Sequence, residues 1–126
     1  MNIFSMVDDS PTRVFQTSAS LTGGAFTAVE LGENGVATAG ATNMPIGILA
    51  AESELPIGQG EDVNVVIRGG AMWTAAESIK GGDMLASNAN GKAVKATSGK
   101  FIFAQALGNA NPDEAAHVLI IRGGKA

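Results

Sequence analysis

Histidine is the side chain that most readily exchanges a proton near neutral pH, and this chain of 126 residues contains one, His117. Its neighbours alternate as in a half-buried β-strand, with Leu119 and Ile121 in phase with the histidine. A serine nucleophile activated by His117 would be expected in a Gly-x-Ser-x-Gly turn, which the sequence lacks. We therefore interpret His117 as a structural or interface residue.

Acidic residues occur in close pairs, the arrangement that acid–base catalysis or a divalent cation would use. The pairs are Asp8-Asp9, Glu52-x-Glu54, Glu61-Asp62 and Asp113-Glu114. All lie in polar, loop-like stretches, whereas a catalytic carboxylate needs an apolar pocket. A cation at Glu52 and Glu54 is conceivable, but the spacing of a calcium loop is missing. With no cysteine and one histidine, a zinc site is not expected, so the predictions are no metal and no cofactor.

The glycine clusters do not form a phosphate-binding loop. Gly58-Gln59-Gly60 begins as a dinucleotide loop does, but Val63 occupies the third glycine position and a strand follows. Neither Gly91-Lys92 nor Gly99-Lys100 is followed by the Ser or Thr of a Walker loop. Since no catalytic constellation is present, the sequence predicts that this protein is not an enzyme.

Composition excludes further classes. The net charge is −4 and the pI about 4.8, which argues against nucleic-acid binding because that needs a basic face. No apolar run approaches the ~20 residues of a membrane helix, and the beginning of the chain lacks the features of a signal peptide. Synthesis in the cytoplasm is therefore expected. Only 16% of residues are charged, which leaves room for a large apolar contact with a partner.

The elements that must position these residues come from an internal duplication. Residues 20–26 recur as 78–84, Asn34-Gly35 recurs as Asn90-Gly91, and 68–70 recur as 122–124. The sequence thus predicts repeats over about 16–70 and 71–126 within a single β domain, 16–126. Units of ~55 residues are too small to be stable alone, so we expect them to share one core about a pseudo-twofold axis.

Each unit has about four short apolar or β-branched stretches at roughly ten-residue spacing, separated by Gly-Gly and Asn-Gly turns. This pattern predicts an all-β sandwich or barrel. Helix is limited to one or two short turns, over 74–79 and over 111–116, the latter with Asn111 as cap and Pro112 at the first position.

The first fifteen residues, 1–15, lie outside these repeats. One interpretation is an edge strand docked on the barrel, and the other is an arm that lies on a neighbouring subunit or a larger assembly. The candidate contact residues of this arm are Asn2, Ile3, Phe4, Met6, Val7, Val14 and Phe15.

Charge is divided unevenly between the repeats. Residues 1–70 carry a net charge of −6 and residues 71–126 a net charge of +2. Head-to-tail contact between subunits would bring opposite charges together, with Glu52 and Glu54 on the acidic side. Lys92, Lys95 and Lys100 are the basic candidates. The alternative is that all of these are ordinary solvated side chains.

The repeated unit resembles the capsid cement, or head decoration, proteins of tailed bacteriophages. The resemblance covers about residues 18–124 and is carried by Gly81-Gly82-Asp83-Met84-Leu85, Asn90-Gly91 and the Arg-Gly-Gly that ends the last strand. It implies a small β-barrel or β-tulip-like domain, usually a trimer, on the outside of the capsid at local three-fold sites. It further implies that the major capsid protein is the partner and that the amino-terminal arm joins the shell.

Two other functions stay open. Another phage structural module, a tail tube or a fibre attachment, would have the same composition. A small binding domain for carbohydrate normally presents exposed Trp or Tyr platforms, and here Trp73 is the only residue of these two types.

Overall fold

The computed structural model describes residues 11–21, 23–50 and 57–126. Within these ranges the chain forms ten β-strands and no helix, and thus no helix that could span a membrane. The strands are β1 (Thr12–Gln16), β2 (Ala28–Gly32), β3 (Gly35–Thr38), β4 (Gly47–Leu49), β5 (Asp62–Val66), β6 (Gly69–Thr74), β7 (Met84–Ser87), β8 (Ala93–Lys95), β9 (Phe101–Ala106) and β10 (Ala115–Lys125). The all-β prediction is confirmed.

The strands form two five-stranded antiparallel sheets. The first has the order β1-β5-β4-β2-β3 and the second the order β6-β10-β9-β7-β8. Neither sheet closes into the predicted barrel. Each curls until its edges touch at one parallel bridge, Thr17 to Val36 in the first and Ala75 to Ala93 in the second. Thr17 and Ala75 lie just beyond the ends of β1 and β6, and their partners Val36 and Ala93 belong to β3 and β8.

The two sheets have the same topology and the same hydrogen-bond register. Ile48 pairs with Ala28 and Val66 in the first sheet, as Gln105 pairs with Met84 and Leu119 in the second. We call residues that hold the same place in the two sheets equivalent. The structural repeat runs over 12–66 and 69–125, here called the first and second units, and it includes β1, which is equivalent to β6.

The register corrects one detail of the sequence repeat. Aligning 20–26 with 78–84 pairs Phe26 with Met84, but Phe26 is equivalent to Gly82. The N–H of Phe26 donates to Leu49 O at 3.1 Å, as that of Gly82 donates to Ala106 O at 2.7 Å. Both residues have positive φ, 61° and 93°. The first unit therefore contains an insertion in this turn.

The predicted helical turns do not form in the described residues. Residues 74–79 contain the end of β6 and the bridging residues Ala75 and Ile79. The segment 111–114 is a turn in which Asn111 N–H donates to Glu114 Oε1 at 2.7 Å. The chain then enters β10 at Ala115. Pairing with β6 and β9 buries Ala116 and Val118, and this gain outweighs the local helix signal.

Each unit encloses its own apolar core, and the two cores are filled differently. Four of the first unit's core residues, Val36, Leu49, Ile57 and Val63, are equivalent to alanines, namely Ala93, Ala106, Ala110 and Ala116. Larger rings fill the second core. Trp73 is equivalent to Phe15, Phe103 is equivalent to Ile46, and these two rings of the second unit meet edge-to-face at 5.5 Å. The second core thus compensates for small strand residues with two buried aromatic rings.

The two units pack against each other, but not about the two-fold axis that the sequence predicts. Ala28 and Ile48 of the first unit join the core cluster of the second and are 0% and 1% exposed. Met84, which is equivalent to Ala28, is 42% exposed. A two-fold contact would bury equivalent residues alike, so the units are joined head-to-tail.

Candidate functional site

Arg122 connects the two units at the point where β10 bulges. The pairing of β10 with β9 shifts between Ile120 and Gly124, and Arg122 within this bulge has a φ of 48°. Its guanidinium donates to Pro45 O at 3.0 Å, to Ile46 O at 2.7 Å and to Ile67 O at 2.6 Å. The bulge thus directs one cation onto three carbonyls that precede or follow strands of the first unit.

The guanidinium of Arg122 also lies over the ring of Phe103, 5.2 Å from its centroid. Partial burial lowers the pKa of Arg122, as expected when a cation is moved away from water. The carbonyl oxygens and the ring face replace the lost hydration. We interpret Arg122 as a clamp between the two units. Sequence reasoning missed this role, and the repeated Arg-Gly-Gly is the signal that could have indicated it.

A second set of contacts joins the units at the β7–β8 turn. The carbonyl of Gly91 accepts hydrogen bonds from Ala28 N–H at 2.8 Å and from the buried indole Nε1–H of Trp73 at 2.9 Å. At the end of β6, Thr74 N–H donates to Phe26 O at 2.9 Å and its hydroxyl donates to Ala25 O at 3.1 Å. These bonds attach the first unit to the β7–β8 turn and to the end of β6 in the second unit.

An open cleft of about 420 Å³ lies along this junction. It is lined by Gly23, Thr38, Ala89, Asn90 and Lys92. Lys92 forms an ion pair with Asp113 at 3.2 Å, which keeps this cation within its own unit. The lining of small and polar side chains offers no acid–base pair for catalysis.

Several exposed apolar side chains lie together on the second sheet. Met84, Gln105 and Leu119 are paired across β7, β9 and β10, so their side chains share one face, and His117 and Met72 are paired on the same face. We define the outer face of the second sheet as Met72, Met84, Gln105, Leu107, His117 and Leu119. Its apolar members Met72, Met84, Leu107 and Leu119 are 36–53% exposed. A contiguous apolar face of this kind is typical of an interaction surface.

The structure places His117 in the middle of this outer face. It is exposed, pairs with Met72 on β6, and its backbone carbonyl accepts a hydrogen bond from Leu107 N–H at 2.8 Å. On the same face of β10 its neighbour two residues on is Leu119, and the interface interpretation of His117 stays a prediction.

The candidate arm is described only at its end. Val14 and Phe15 belong to β1, an edge strand of the first sheet, where Val14 pairs with Asn64 and is 63% exposed. Phe15 packs against the first core. Asn2, Ile3, Phe4, Met6 and Val7 lie outside the described residues.

The structure describes three of the five proposed electrostatic residues, Lys92, Lys95 and Lys100. Glu52 and Glu54, and with them the hypothesis of a cation at that pair, lie outside the described residues. Lys95 is exposed at the end of edge strand β8, and Lys100 is half-buried next to β9. Among the described residues no group of three or more His, Asp or Glu side chains converges as metal ligands would.

The described residues therefore form a tandem β fold, in which two curled five-stranded sheets of identical order are joined head-to-tail. Comparison of the coordinates with solved structures finds this fold in the head fiber gp8.5 N base of bacteriophage phi29. The TM-score is 0.70 and the identity 19%, covering 91% of this chain and 96% of the phage protein. Comparison of the sequence with family models and with curated proteins gives no match.

Proposed function

We propose that this protein is a structural component of a phage virion that decorates and stabilises the outside of the capsid. The observation that carries the proposal is the shared fold with a head fiber base over nearly the full length of both chains. The sequence resemblance to head decoration proteins supports the same role independently. In this role the protein needs neither a catalytic site nor a cofactor. It is made in the host cytoplasm and ends on the virion.

The oligomer that suits this role is a trimer at local three-fold sites, with the major capsid protein as partner. Three attachment points act together, so that weak individual contacts give a firm overall attachment. Binding relies on buried surface and paired backbone rather than on chemistry. Nucleic acid and membrane are not partners in this proposal.

The amino-terminal segment is the part of the chain that we assign to the capsid. β1 is an edge strand, and edge strands can accept a strand from a partner. The arm residues 2–7 precede β1, and the exposed Val14 lies on it. β1, which follows the arm in the chain, therefore offers an edge for a capsid strand.

A second candidate is the attachment base of a head fibre. The structural neighbour is the base of such a fibre, which favours this alternative specifically. Electron micrographs distinguish the two, since a decoration protein gives a knob at each site and a fibre base carries a projecting shaft.

The test uses phage heads prepared without this protein and then incubated with it. We expect cosedimentation with expanded heads, and density for three copies at local three-fold sites by cryo-electron microscopy. Binding should protect the chain from trypsin at Arg13, and V14E should weaken binding relative to a charge control such as K100E. Absence of binding to heads, or cleavage at Arg13 that is unchanged by heads, would refute the proposal.

A further inference from the structure

Equivalent faces of the two sheets differ in burial, because the face is buried in the first sheet and partly exposed in the second. Ala28 and Ile48 in the first sheet are equivalent to Met84 and Gln105 in the second. The first pair is buried against the second unit, as part of the cluster that also contains Trp73. In the second sheet, Met84 is 42% exposed and Leu119 is 39% exposed.

The head-to-tail arrangement exposes one surface at each end of the part of the chain that the structure describes. On the second unit this surface is the outer face, whose apolar members are 36–53% exposed. On the first unit it is the turn equivalent to the β7–β8 turn, which in the second unit packs against Ala28. This is the β2–β3 turn, where Glu33 and Asn34 are exposed and Leu31 on its flank is 54% exposed. Repeating the internal contact between copies would cover both ends at once.

Charge favours this pairing at one specific position. Within the chain, Thr38 lies against the turn of the second unit, since a Cβ on Gly91 would be 3.1 Å from its Cγ2 atom. The residue equivalent to Thr38 is Lys95, which is exposed. Repetition of the contact would bring Lys95 to the turn that carries Glu33 in the next copy. The two units as a whole also carry opposite net charge.

We infer that the outer face of the second sheet binds the β2–β3 turn of a second copy of this chain, in the same geometry that joins the two units within one chain. A heterologous contact of this kind closes into a ring or continues as a filament. The number of copies rests on the proposed function, in which three chains form a ring of six similar units.

Association into the trimer requires particular residues at this contact. Met84 and Leu119 supply apolar area, Lys95 and Glu33 set the pairing, and Leu31 of the neighbouring copy packs on the outer face. His117 lies in the same face and becomes an interface histidine.

The test is sedimentation equilibrium of the full chain over a range of concentrations, with head binding measured separately. We expect the wild type to reach three times its 12.7 kDa mass. L119E should remain monomeric at concentrations where the wild type is trimeric. K95E and E33K should each weaken association about five- to tenfold, because like charges replace an exposed pair, and K95E/E33K should restore it.

K125E is the matched control, because Lys125 is an exposed lysine of the second sheet that is not among the residues of the proposed contact. It should leave association unchanged. Unaltered Trp73 emission shows that each variant is folded. A wild type that stays monomeric, an L119E that still forms trimers, or a double variant without rescue would overturn the inference. Trimers that fail to bind heads would refute the proposed function alone.

Discussion

Arg122 shows how one side chain can determine the arrangement of two units. This one guanidinium donates hydrogen bonds to the carbonyls of Pro45 and Ile46 in the first unit and of Ile67, which directly follows it. The left-handed φ at Arg122 would suit glycine better, and Gly123 and Gly124 follow directly. The side chain is thus kept at a strained position because of where the bulge directs it.

We predict that R122A lowers the free energy of unfolding by about 2–3 kcal/mol, since it removes charge-assisted donors from three carbonyls. Backbone strain is common to both residues and cancels. Urea denaturation measures the change. K125A is the control, because Lys125 also lies over a ring, 5.1 Å from the centroid of Phe101, and should lose at most about 1 kcal/mol. Equal effects of the two variants would contradict the clamp.

Trp73 is fully buried and its indole donates to Gly91 O, so it serves both the core and the junction. We predict that W73F costs about 1–3 kcal/mol, from the lost donor and a small cavity, and that W73A costs about 3–5 kcal/mol. Thermal unfolding followed by circular dichroism measures both. The wild-type emission should be insensitive to acrylamide. A W73F variant as stable as the wild type would show that the indole bond is unimportant.

At the scale of elements, the contact between a turn of one unit and a strand of the other determines how the two sheets pack together. The β7–β8 turn approaches β2 so closely that a Cβ on Gly91 would lie 2.7 Å from Ala28 O. Gly99, in the turn before β9, has a similar φ of 87° but open space around it. A left-handed backbone is common to both glycines, and a close steric contact is present only at Gly91. Substitutions at the two positions therefore distinguish the two costs.

We therefore predict that G99A costs about 1–2 kcal/mol, for the left-handed backbone alone. G91A should cost at least about 2 kcal/mol more, because the turn must also move away from Ala28 and release its hydrogen bond. Denaturant midpoints of the two variants give the comparison. If both variants lose the same stability, the contact between Gly91 and Ala28 does not contribute to the free energy of unfolding.

At the scale of the whole molecule, the two cores are coupled through one shared cluster. Ala28, Ala39 and Ile48 extend the second core into the first unit, while the first unit's own core lies on the opposite side of its sheet. Units of about 55 residues bury too little surface to be more than marginally stable, so we expect the contact between them to contribute to the stability of both.

We predict that the wild type unfolds in a single transition. Trp73 fluorescence, which reports on the second unit, and far-ultraviolet circular dichroism, which reports on both sheets, should coincide. In G91A, where the junction is damaged, the fluorescence and dichroism curves should separate. Two transitions in the wild type would mean that the units are independent.

The sequence by itself determined the all-β class, the duplication and the turns. Alternating apolar residues and Asn-Gly or Gly-Gly pairs act locally, and both copies carry them. The helix signal at 111–116 was local too, and it failed because β10 gains more from pairing with two neighbours.

Only the tertiary structure decided which face of each sheet is covered. Alternation along a strand separates two faces but does not specify what packs on them. Leu119 in β10 is equivalent to Val66 in β5, yet Val66 packs against a core and Leu119 is 39% exposed. The difference arises from how one unit packs on the other, through contacts such as that of Arg122 with Ile67, 55 residues earlier in the chain.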